Sequence, residues 1–87
     1  MSVFSIAYEK VRERINAGQL LEARKLADEL EPQTKAEARM QLYIKSQAAL
    51  RGEEYAEAIR YIDEARSKYG DHVFLLSNLA CSYYLSG

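Results

Sequence analysis

The stretch Gly52–Tyr69, GEEYAEAIRYIDEARSKY, decides the fold. Tyr55, Ala58, Ile59, Ile62, Ala65 and Tyr69 recur at three- and four-residue steps, so a helix carries them on one face. Glu57, Arg60, Asp63, Glu64 and Lys68 fall on the other. Small and large residues alternate along the apolar side at Ala58, Ile62 and Ala65, which lets a neighbouring helix come close and interlock. A helix this short is marginal alone. Its apolar face needs partners, and the flanking sequence supplies them.

Immediately upstream, the pattern predicts a helix over 35–51. Thr34 is placed to cap it, Glu37 takes the reciprocal capping-box position, and Gly52 ends it. Ala38, Leu42, Ala49 and Leu50 mark one stripe, and Met40, Tyr43, Ile44 and Ala48 broaden it. This helix is apolar on more than one side. A helix over 19–31 comes before it, with Leu20, Ala23, Leu26, Ala27 and Leu30 inward and Pro32 closing it. The first helix, over 3–17, has the stripe Phe4, Tyr8, Val11 and Ile15, widened by Ala7. Its wet face spaces Glu9 with Arg12 and Lys10 with Glu13 for pairing, at about 0.3–0.5 kcal/mol a pair. Gly18 ends it, where a left-handed residue is wanted. Downstream, Gly70-Asp71 signals a turn, Asp71 can cap, and HVFLLSNLACSYYL from His72 to Leu85 reads as a last helix. Short connections make these five helices antiparallel neighbours.

Composition agrees with one all-α domain. In 87 residues there are one proline and four glycines, and 48% of residues are hydrophobic. Twelve basic residues balance thirteen acidic ones, so counterion-driven nucleic-acid binding has no footprint. A single cysteine, Cys81, excludes an internal disulfide and fits a reducing compartment. The start, MSVFSIAYEK, has no basic leader, and no stretch approaches the roughly 20 apolar residues of a membrane span. The expected location is cytoplasmic, with no membrane partner. The sequence stops at Gly87 directly after an apolar helix, the pattern of a trimmed array.

Landmarks recur at a fixed step. Gly18 and Gly52, Tyr8 and Leu42, Leu42 and Leu76, Ser46 and Ala80, and Ala49 and Tyr83 are each 34 residues apart. A 34-residue period with two helices per unit is the signature of the tetratricopeptide repeat, and the sequence resembles that family over its whole length. Leu76, Leu79, Ala80 and Tyr83 fit its first-helix motif; Ala58 and Ile62 fit its second. EYAEAIRYIDEA is the most family-like segment. Lys45 and Ala49 stand where the pattern has Leu and Tyr, and tryptophan is absent. The resemblance implies stacked antiparallel helical hairpins, a tetratricopeptide-like α-solenoid: repeat 1 about 3–32, repeat 2 about 35–70, and the first helix of repeat 3 about 72–85. One hairpin cannot bury its own face, so units stack and cover each other.

No catalytic constellation is present. His72, the one histidine, starts a helix with no Cys/His cluster to complete a metal site. Cys81 sits in an apolar helix without a basic neighbour and reads as packing. Glu53, Glu54 and Glu57 complement a helix dipole, and the glycines occur singly, with no phosphate-cradling loop. The seven tyrosines read as filler between helices. No enzyme activity, metal or cofactor is expected.

The resemblance implies a concave groove, lined by the first helix of each repeat, that takes extended peptides or helices. Projected onto it are Met40, Tyr43, Ile44 and Gln47, then Phe74, Asn78 and Cys81, with Ile6, Glu9 and Lys10 from the first helix. A carboxylate clamp is not expected, since only Asn78 fits one. The second candidate surface is the last helix, where Leu75, Leu79, Tyr83 and Leu85 lack a covering helix and invite self-association or docking. The expected function is non-enzymatic protein binding, as a scaffold or small chaperone for a peptide or amphipathic helix. The alternative is a regulatory or oligomerisation fragment of a larger enzyme or transcription factor.

Overall fold

The computed structural model describes residues 2–70 together with Ala80 and Tyr84. The described residues are all-helical, in the order α1 (Val3–Asn16), α2 (Leu20–Asp28), α3 (Lys35–Arg51) and α4 (Tyr55–Tyr69). Of the helix expected over about 72–85, all but Ala80 and Tyr84 lies outside the described residues; those two are helical. Among the described residues, no helix is long and apolar enough to cross a membrane.

The starts of α1 and α3 have a local cause, as do their ends. Ser2 caps α1 by accepting from the Ser5 amide at 3.1 Å. Thr34 does the same for α3, accepting from the Glu37 amide at 3.1 Å. The Glu37 carboxylate reaches back one residue further than a capping box requires, to the Gln33 amide at 2.8 Å. The ends of α1 and α3 are the same motif. After α1, the Gly18 amide donates to the Ile15 carbonyl and the Gln19 amide to that of Arg14. After α3, the Glu53 amide donates to Leu50 and the Glu54 amide to Ala49. Gly18 (φ 78°) and Glu53 (φ 62°) take the left-handed position. In this turn the equivalent of Gly18 is therefore Glu53, 35 residues on, not Gly52. Gly52 has an ordinary negative φ of −84°.

The second helix stops earlier than Pro32 suggests. Its last residue is Asp28, because the next helix takes hold of its end. The side-chain amide of Gln41 donates to the carbonyls of Ala27, at 2.9 Å, and Leu30, at 3.0 Å. The Ala27 carbonyl also accepts from the Leu30 amide at 3.3 Å, so Gln41 ties the last turn to the residues that follow it. The chain can then leave the helix while Leu30 stays buried.

Packing is sequential. The first helix lies against α2 and α3, α2 against α3, and α3 against α4; neither α1 nor α2 packs on α4. One apolar cluster joins the first three helices through Phe4, Val11, Ile15, Ala23, Ala27, Leu30, Ile44 and Ala48. A second joins α3 to α4 through Leu42, Ile62 and Ala65. The alanines at Ala23, Ala27, Ala58 and Ala65 are fully buried, and their size permits the close approach. The third helix belongs to both clusters, which is why Leu42, Ile44, Ser46, Ala48 and Ala49 are all buried and no single apolar stripe describes it.

Candidate functional site

With two opposite faces of α3 buried, its remaining surface is two edges. On one edge Met40, Tyr43 and Gln47 are half-buried. The Gln47 side-chain amide donates to the Tyr43 hydroxyl at 2.9 Å, one helical turn away. Beneath them, the Ser46 hydroxyl donates to the Tyr43 carbonyl at 2.6 Å. Tyr8 of α1 packs against the first apolar cluster, as does Met40. Its ring stacks on Phe4 with centroids 6.0 Å apart. Burial pushes the Tyr8 phenol up to about 12; Tyr43 raises it further and Arg12 opposes the rise. The edge is therefore a shelf of aromatic and thioether surface with two phenols and an amide.

Phenols and amides offer hydrogen bonds to a peptide backbone, and the ring faces offer apolar area. The Tyr8 phenol is a poorer acid than free tyrosine, so it does not supply a base or nucleophile near neutral pH. Among the described residues, no group of three His, Cys, Asp or Glu side chains is placed to hold a metal ion.

The opposite edge of α3 is ionic. Lys45 pairs with Asp28 of α2 at 3.0 Å and lies 5.7 Å from the ring centre of Tyr61 on α4. Arg24 of α2 reaches across to Glu54 and, at 3.8 Å, to Glu57. The hydrogen bond from Arg60 is the largest influence holding the Glu57 carboxyl below the usual range. Helices α2 and α4, which do not pack, are thus bridged by side-chain charges. Lys45 stands where the repeat pattern has Leu, and this bridge gives the lysine its place.

Several residues projected onto the groove lie elsewhere. Ile44 is fully buried in the first cluster and offers nothing to a partner. Ile6 and Lys10 face α2, where they line a cleft with Leu26, Glu29 and Leu30. Tyr8, read from its spacing as a core residue, is the α1 side chain that joins the shelf. Met40, Tyr43 and Gln47 do sit together on one edge. Phe74, Asn78 and Cys81 lie outside the described residues, as do Leu75, Leu79, Tyr83 and Leu85 of the expected terminal helix.

No protein-family model matches the chain, and neither the curated proteins nor the solved structures include a match.

Proposed function

We propose that the chain is a non-enzymatic protein-interaction module of tetratricopeptide type. Its stacked hairpins hold a peptide or amphipathic helix of a partner protein along the α1–α3 edge, as a scaffold or small chaperone. The observation that carries this reading is the half-buried shelf of Tyr8, Met40, Tyr43 and Gln47. Enrichment in aromatic and methionine side chains, with charge at the periphery, is what the centre of a protein interface has in common with this shelf. Support for the repeat arrangement comes from the two equivalent turns and from the sequential packing. Ala23 and Ala27 on α2 also match Ala58 and Ile62 on α4 at the same step of 35, all four fully buried.

The test is selection of binders from a random peptide library, followed by titration of the best binder into isotope-labelled protein. The resonances of Tyr8, Met40, Tyr43 and Gln47 are expected to move most. Tyr43→Ala should weaken binding by about tenfold or more, as truncating an aromatic anchor does, while helicity stays as it was. Selected peptides that shift only residues of α4, or bind Tyr43→Ala as tightly, would remove the proposal.

A further inference from the structure

A second docking surface lies away from that shelf, at the open end of the α1–α2 hairpin. Here lies a cleft of about 500 Å³, which shares Val3, Ala7, Glu29 and Leu30 with a second cleft along the α1–α2 seam. The aliphatic lining of the two is Val3 and Ile6 from α1, Leu26 from α2 and Leu30 just beyond its end. Val3 is 85% exposed and Ile6 47% exposed, although both belong to the helix that carries the first core cluster. Two exposed β-branched side chains on adjacent turns, with leucines beside them, are an unpartnered apolar face.

The rim states what charge the occupant carries. Glu29 and Glu31 stand over the cleft, and neither has an ion pair among the described residues. Glu37 adds a third carboxylate, which holds the Gln33 amide. Among the described residues that line the two clefts, the one cation is Lys10, in the seam cleft. The charged side chains that line the mouth, among the described residues, are all carboxylates, while the net charge of the whole chain is only −1.

We propose that this cleft docks a basic amphipathic segment of a partner protein. Its aliphatic side chains lie on Val3, Ile6, Leu26 and Leu30, and its Lys or Arg side chains meet Glu29 and Glu31. Apolar area provides the affinity and the carboxylates provide the orientation and choice of partner. Tyr43 and Gln47 of the shelf do not line this cleft, although Phe4, on which Tyr8 stacks, does.

Two labelled peptides of the same length test it by fluorescence anisotropy on the full chain. One alternates Leu and Lys in an amphipathic helical pattern; the other replaces every Lys by Glu. The Lys peptide should bind saturably and the Glu peptide should not. Glu29→Lys with Glu31→Lys should weaken binding about tenfold, and so should Ile6→Asp, whose exposed position leaves the fold intact by circular dichroism. Glu53→Lys with Asp63→Lys makes the same charge change far from the cleft and should leave binding unchanged, as should Tyr43→Ala. Equal loss in both double variants, or equal binding of both peptides, would overturn the proposal. So would a dimer in sedimentation that Ile6→Asp dissolves while the Lys peptide fails to bind, since a second copy would then be the occupant.

Discussion

Glu53 and Gly18 occupy the same place in the same turn, yet only one of them suits it. A left-handed backbone costs a residue with a Cβ roughly 1–2 kcal/mol, and glycine nothing. Nothing lies within 4 Å of a Cβ added at Gly18, so Gly18→Ala isolates that strain from any clash. It should lower stability by about 1–2 kcal/mol in urea unfolding. Glu53→Gly should do the reverse. The gain is smaller, about 0.5 kcal/mol, because glycine gives the unfolded chain more freedom. Equal and negligible effects at both positions would mean that the turns do not hold this geometry in solution. At Tyr8 the pH dependence follows from the raised phenol. Its folded value of about 12 lies above the ordinary 10.0, so its contribution is fully present below pH 10. It is lost as pH rises through 12, since the phenolate prefers the unfolded, hydrated chain. Tyr8→Phe removes the titrating group. Plotted against pH, its unfolding midpoint should fall less steeply between pH 10 and 12 than that of the unaltered protein.

The four helices were legible in the sequence to different degrees, for reasons that lie in where their signals sit. Both bounds of α3 follow from adjacent residues: Thr34 caps one end and Gly52 closes the other. Thr34→Ala should therefore cost about 1 kcal/mol, measured by the same unfolding curves, through loss of the bond to the Glu37 amide. The end of α2 was not legible, because the group that fixes it is Gln41, eleven residues beyond Leu30. No local pattern announces a side chain from the next helix. The candidate site was misread in part for a related reason. Periodicity separates the side of a helix that faces the core from the side that does not. It does not say which neighbour lies to the left or right of that face. Ile6 and Lys10 were therefore assigned to the edge with α3, although they border α2. On α3, two buried faces leave no polar side to orient by, so Ile44 and Tyr43 read alike. Only packing shows that Ile44 is inside and Tyr43 at the edge. Ile44→Asp consequently reports on folding rather than on partner binding, and Tyr43→Ala is the informative substitution.

At the scale of the molecule, the apolar clusters and the charged bridge make different predictions about cooperativity. The bridge from Arg24 to Glu54 and Glu57 is partly exposed, and exposed pairs contribute about 0–1 kcal/mol. It does not make α2 and α4 unfold together. What couples them is α3, which lends Ile44 and Ala48 to one cluster and Leu42 to the other. A helix with two buried faces has no stable state with one face wet, so loss of either cluster releases the other. Ile44→Ala and Ile62→Ala remove the same atoms from positions that are both fully buried. Each should lower stability by about 2–5 kcal/mol. The decisive observable is how the loss is distributed. Hydrogen exchange should show amides of α1 and amides of α4 losing protection together in both variants, because they report one transition. If Ile62→Ala instead frees α4 while α1, α2 and α3 keep their protection, the second cluster is an independent unit. The stacking of one hairpin on the next would then not be what stabilises this fold.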